Sequence, residues 1–186
     1  MVDRISALDG HYQSGRFGTD GDTDVGLQLI RDLQLQQVAA WPDTIKKAAD
    51  AAAKAAGADE APAPGKAISG ERGAILRSEP LKWWLVGVDS MQIDSGQGAV
   101  LDLSHSRTQI RITGPKSTTL LNRLLPLDLR DTNFREGAVA SSAMHHVGVT
   151  LWHSASGYEL FIPRGFALSI WEILFESALQ FGVEVV

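Results

Sequence analysis

Asp20, Asp22 and Asp24 stand at alternate positions, the opening spacing of a calcium-binding loop. The match stops where the chemistry is most demanding. Val25 holds the place of the sharp-turn glycine, and Arg31 holds that of the closing bidentate glutamate. The three aspartates therefore read as a solvated acidic loop. Ser104-His105-Ser106 brings hydroxyls and an imidazole together along the chain, but a nucleophilic triad needs convergence in space rather than adjacency. Gly96-Gln97-Gly98 opens like a dinucleotide fingerprint, yet Leu101 occupies the third glycine position. Neither a phosphate-loop GK[ST] nor a GxSxG elbow is present. The histidines are His11, His105, His145, His146 and His153. His145 and His146 sit in a strand-like stretch and are expected on opposite faces, which suits surface or interface positions better than a shared metal ion. Carboxylate pairs such as Asp59-Glu60 fall in loops with no apolar pocket to raise a pKa. Arg107 and Arg111 share one side of an alternating segment, facing either solvent or the carboxylates of a partner. These observations assign no catalytic residue and no metal ligand to the chain.

The elements that must position these residues show in the apolar spacing. Leu27/Leu29 and Leu33/Leu35 alternate around Arg31-Asp32 and predict two short strands. Trp41-Pro42-Asp43-Thr44 opens a helix, with Asp43 the expected cap, running through IKKAADAAAKAA to a stop at Gly57. Asp50 and Lys54 are spaced for an i,i+4 pair. Its inner face is nearly all alanine, so it must pack closely. Residues 58–73 read as a Pro/Gly-rich loop, and Ile75-Leu76 with Leu81–Val88 as a strand pair turning at Ser78-Glu79-Pro80. Residues 89–98 form a connector. Thr108, Ile110 and Ile112 alternate with Arg107, Gln109 and Arg111 in a further strand. Gly114-Pro115 starts a helix with a Leu120, Leu121, Leu124, Leu125 stripe, and Pro126 ends it. Strands are predicted at 138–143, 147–152 and 158–162, and a last helix at 166–180. The expected class is α+β: two small lobes, each a mainly antiparallel sheet with one or two helices. The expected division is a flexible N-terminal arm over 1–25, a first lobe over 26–90 and a second over 91–186.

Composition narrows the function. The chain has 186 residues, a formal net charge of −5 and no cysteine. Mild acidity offers nothing to phosphate backbones or anionic lipid, which argues against nucleic-acid and membrane partners. Absence of cysteine removes thiolate catalysis, disulfides and iron–sulfur ligation from this chain. No apolar stretch reaches the length of a membrane span or a signal peptide, so a cytoplasmic location is expected.

The last helix carries surplus apolar surface. Its polar positions, Ser169, Glu172, Glu176 and Gln180, form one narrow stripe. Two apolar rows flank it, one of them Leu168, Trp171, Phe175 and Leu179. A surface helix needs a single apolar face. The second row is either packed within the domain or meets another subunit through Trp171 and Phe175.

Several ordered blocks resemble one family. Residues 100–115, VLDLSHSRTQIRITGP, are similar to the gamma subunit of heterotetrameric sarcosine oxidase. Further blocks follow in the same order: Pro126 to Arg130 (PLDLR), Phe134 to Ala138 (FREGA) and Phe161 to Phe166 (FIPRGF), with Trp171 after them. LQLQQVA at 33–39 and WWLV at 83–86 also fit. The resemblance implies a fold like the folate domain of aminomethyltransferases. It implies a non-catalytic subunit that buttresses the large subunit and assembles with alpha, beta and delta subunits. By that resemblance the complex oxidises sarcosine to glycine. The methyl carbon leaves as formaldehyde or passes to tetrahydrofolate, and hydrogen peroxide is formed. FAD, FMN and NAD sit on the larger subunits and zinc on the smallest, with no cofactor in this chain. The subunit interface is expected at Asp102, Ser104, His105, Arg107, Trp171 and Phe175. Asp102 and Arg107 are also the candidates for a folate contact. A folate-binding module, and the equivalent subunit of another N-methyl amino acid demethylase, remain as alternatives.

Overall fold

A computed structural model describes residues 5–18, 21 and 23–186. Asp20 and Asp22 of the acidic loop lie outside the described residues, as do the first four residues of the expected arm. The chain divides into two compact units, one formed by residues 33–105 with 137–140, the other by the remainder. Mixed α+β content in two antiparallel-rich sheets agrees with the expected class.

The unit built on residues 33–105 is a five-stranded sheet with one helix. Its strands are β3 (Leu35–Ala40), β4 (Lys66–Ser69), β5 (Ala74–Glu79), β6 (Lys82–Val86) and β7 (Gly98–Asp102), in the order β4-β5-β6-β3-β7. Helix α1 (Ile45–Ala56) buries Ala48, Ala52 and Ala56 against Val38, Ile75, Trp83 and Leu85, all of them fully buried. Alanine is the residue that lets a helix axis approach this closely while keeping full helix propensity. Gly57 ends the helix in a left-handed conformation, φ 72°. Its N–H donates to the Lys54 carbonyl, and the Ala58 N–H to the Ala53 carbonyl, which satisfies two orphan acceptors of the last turn.

Three local expectations change here. Thr44, not Asp43, occupies the N-cap position, and its hydroxyl donates to the Gln97 carbonyl at 2.6 Å instead of capping. The helical ion pair is Lys46–Asp50 at 2.8 Å rather than Asp50–Lys54. Strand β4 lies inside the segment read as a loop. Its four residues carry too few apolar side chains to signal a strand, and it is held by pairing with β5.

The other unit is a seven-stranded sheet in the order β1-β12-β2-β8-β11-β10-β9. Its strands are β1 (Gly15–Phe17), β2 (Val25–Ile30), β8 (Arg107–Thr113), β9 (Val139–Met144), β10 (Val147–Ser154), β11 (Gly157–Pro163) and β12 (Val183–Val185). Helices α2 (Ser117–Leu124) and α3 (Ala167–Ala178) complete it. The alternation read in β8 is present: Ile110 and Ile112 are fully buried and lie opposite Leu29 and Leu27 on β2 and Leu160 and Tyr158 on β11. The Tyr158 hydroxyl meets the Thr118 hydroxyl of α2 at 2.9 Å, which places this face beneath the helix.

The boundaries at 26–90 and 91–186 differ from this division. They assign β2 to the five-stranded unit and all of β7 to the other. Pairing does the reverse: Gly26 to Ile30 align with β8, and β7 aligns with β3. Short strands carry little sign of their partner in sequence, so register rather than proximity decides membership. Residues 1–25 differ too. The described part of that arm contains β1, paired with β12, and Leu8, which is fully buried.

His145 and His146 form the two-residue turn between β9 and β10, with φ of 45° and 70°. They are not successive strand residues. Left-handed backbone at both central positions is the geometry that matches the natural twist of a hairpin.

Candidate functional site

The block from Asp102 to Arg107 leaves β7 and enters β8. Asp102 Oδ1 accepts the Ser104 N–H at 2.8 Å, an Asx turn that redirects the chain. The Ser104 hydroxyl accepts the Leu35 N–H at 3.0 Å and donates to the Leu35 carbonyl at 3.3 Å, while the Leu103 N–H donates to that carbonyl at 2.8 Å. Asp and Ser at this spacing thus fasten the exit of β7 to the start of β3. His105 and Ser106 are exposed, and the Ser104 hydroxyl is hydrogen-bonded to backbone. Arg107 is half-buried, and that burial pulls its guanidinium below the ordinary value. Asp102 belongs to the five-stranded unit and Arg107 to the seven-stranded one.

Trp171 and Phe175 lie on α3 as expected, one turn apart, with ring centroids 5.9 Å apart. The N-terminal segment of the same chain covers them. Tyr12 packs on Trp171 at 5.2 Å, and Phe17 meets Phe175 edge-on at 5.3 Å. The Tyr12 hydroxyl accepts the Leu29 N–H at 3.1 Å and donates to the Val186 carbonyl, which fixes the segment on the sheet. Trp171 is 4% exposed, so its ring is buried by its own chain, whereas Phe175 stays half-buried. Beside the covered rings runs a groove of about 290 Å³ lined by Phe17, Leu168, Trp171 and Phe175, with Glu172 and Glu176 along it.

A third constellation was not legible in advance. Glu159 on β11 is 1% exposed. It accepts hydrogen bonds from Arg111 at 2.6 Å, Gln109 at 2.7 Å and the Ser154 hydroxyl at 3.1 Å. Arg111 therefore answers a carboxylate of its own chain rather than a partner or solvent. The pairing follows from register, since Glu159 lies opposite Arg111. A glutamate flanked by Tyr158 and Leu160 in an apolar strand was the available signal.

Among the described residues, no group of three or more His, Cys, Asp or Glu could hold a metal ion, and no helix is long and apolar enough to cross a membrane. Asp59 and Glu60 are exposed loop residues.

No family model matches the chain. Aminomethyltransferases from Porphyromonas gingivalis and Bacteroides fragilis are 31% and 28% identical to it over 91 and 123 residues, covering 47% and 59% of this chain and 25% and 34% of theirs. The matched stretch thus spans about a quarter to a third of those relatives. The sarcosine oxidase subunit gamma of Corynebacterium sp. is 29% identical over 79 residues, 41% of this chain and 38% of that one. Among solved structures, a chain of the heterotetrameric sarcosine oxidase from Corynebacterium sp. U-96 superposes with a TM-score of 0.72 at 21% identity, covering 88% of both chains. The glycine cleavage system aminomethyltransferase T from Bartonella henselae gives 0.62 at 18% identity, covering 88% of this chain but 48% of that one. The chain is thus similar in sequence to sarcosine oxidase gamma subunits and aminomethyltransferases, and it shares their fold.

Proposed function

We infer that this chain is the gamma-type, non-catalytic subunit of a heterotetrameric sarcosine oxidase, where it stabilises the large subunit. The observation that carries this assignment is likeness in fold and sequence together. The chain superposes on a sarcosine oxidase chain with a TM-score of 0.72, against 0.62 for an aminomethyltransferase, and it is 29% identical to a sarcosine oxidase subunit gamma over 79 residues. The complex would act in the cytoplasm, oxidising sarcosine to glycine with tetrahydrofolate accepting the methyl carbon and hydrogen peroxide as product. Its alpha, beta and delta subunits would carry FAD, FMN, NAD and zinc. In this chain the exposed Asp102 and His105, the half-buried Arg107 and the partly open Phe175 are sequence-named residues accessible to a partner. Asp102 and Ser104 would hold the connector that presents them.

Coproduction with the alpha, beta and delta subunits tests the assignment. The chain is expected to copurify with them in stoichiometric amount, and its omission should lower the yield of soluble large subunit at least severalfold. Assembly and yield unchanged by its omission would refute it.

The aminomethyltransferase relatives favour a second reading, a folate-binding module using Asp102 and Arg107. Calorimetry of the isolated chain with tetrahydrofolate separates the two, since a purely structural subunit gives no binding heat. An equivalent subunit of another N-methyl amino acid demethylase would assemble in the same way and is distinguished by the amine the complex oxidises.

A further inference from the structure

Asp-Gly occurs twice in the chain, and Asp9-Gly10 is the pair whose residues are both described. It forms the middle of a turn in the N-terminal segment. The Asp9 N–H donates to the Ser6 carbonyl at 3.3 Å, and the His11 N–H to the Leu8 carbonyl at 3.0 Å. The Gly10 N–H between them has no acceptor among the described residues. Asp9, Gly10 and His11 are exposed, and the Asp9 carboxylate has no ion-pair or hydrogen-bond partner among the described residues. Gly10 is left-handed, φ 77°, and nothing lies within 4 Å of where a Cβ would stand. A nitrogen and a carboxyl group able to close a five-membered ring are therefore adjacent, solvated and uncommitted. The Gly10 nitrogen attacks the Asp9 γ-carboxyl carbon. A C–N bond forms, the C–OH bond breaks, and the nitrogen's proton leaves with that hydroxyl as water. The product is a succinimide. Hydrolysis at its γ-carbonyl restores aspartate. Hydrolysis at its α-carbonyl routes the main chain through the former side chain, giving isoaspartate of unchanged mass.

We propose that Asp9-Gly10 is a site of spontaneous isoaspartate formation, and that conversion loosens the N-terminal segment from α3. The turn lies between two anchors. Leu8 on one side is fully buried. Tyr12 on the other packs on Trp171 at 5.2 Å, and its hydroxyl joins the Leu29 N–H to the Val186 carbonyl. Isoaspartate adds one main-chain atom between these anchors, with Asp9, Gly10 and His11 alone to absorb it. The proposal concerns this chain by itself and is independent of the subunit assignment.

Incubation of the full chain at physiological pH and temperature, followed by peptide mapping with electron-transfer fragmentation, tests it. That fragmentation cleaves within an isoaspartyl residue and so locates it. Conversion at Asp9 is expected at a rate within about threefold of that in a free peptide spanning residues 5–14, because the turn leaves the reacting atoms open. Conversion at least tenfold slower in the folded chain than in the peptide would show that the turn protects the site and would overturn the proposal. Thermal unfolding reads the consequence. The incubated parent is expected to lose Tm, whereas Asp9→Glu, which would have to close a larger ring, should keep its Tm through the same incubation. Equal losses in parent and Asp9→Glu, or no loss in a parent that has converted, would overturn the link to the N-terminal segment.

Discussion

Glu159 is held by Gln109 and Arg111 on one neighbouring strand and by Ser154 on the other. Removing one partner of such a cluster leaves the others desolvated and unanswered, and that penalty exceeds the net worth of the pair. Glu159→Ala is expected to cost about 2–3 kcal/mol, discounted because the Arg111 side chain is 30% exposed. Urea unfolding reads this directly, and a loss below about 0.5 kcal/mol would mean that the ion pair is solvated. At the surface, hydrogen bonding from Arg130 holds the Asp128 carboxyl well below its ordinary value. A depressed carboxylate stabilises the fold above its unfolded pKa and loses that contribution as pH falls through the folded value. Asp128→Asn should therefore lower Tm slightly near neutral pH, with the difference shrinking below pH 3.8, the ordinary value. A difference that is independent of pH would contradict this. Arginine and aspartate two residues apart in PLDLR were visible in sequence, but that they form a closed pair was not. The roles of Asp102 and Ser104 in fastening backbone were hidden too, because an Asx turn and a connector hydroxyl look the same as a polar site until the chain path is known.

Periodicity served the elements unequally. Helix α1 and strand β8 were readable because each repeats a strong period over enough residues to exclude the alternative. The short strands β1, β4 and β12 were not, since three or four residues carry no period and their pairing is tertiary. The hairpin at His145-His146 illustrates the opposite limit. Nothing in its residue types marks a turn, yet both backbones are left-handed. Replacing the pair with Asn-Gly, which adopts this geometry without steric cost, should stabilise the protein by about 0.5–1 kcal/mol. Thermal unfolding of the variant checks it, and no gain in Tm would argue against the turn. At the N-terminus, Tyr12 and Phe17 act as anchors spaced along a polar segment. Such anchors escape a composition-based reading, which sees only Gly, Asp and Ser and expects a free arm.

For the whole molecule, fold class was legible and unit membership was not. Alternating strands and short helices predict α+β, whereas the exchange of β2 and β7 between units depends on registers that emerge only on folding. The fold is shared with an oxidase chain over 88% of both chains, and the proposed subunit role is what remains to be tested. Native mass spectrometry of the coproduced subunits is the most direct test. The account predicts one copy of this chain in a four-subunit assembly that oxidises sarcosine. A complete, active assembly of the other three, with this chain left as a free monomer, would contradict it.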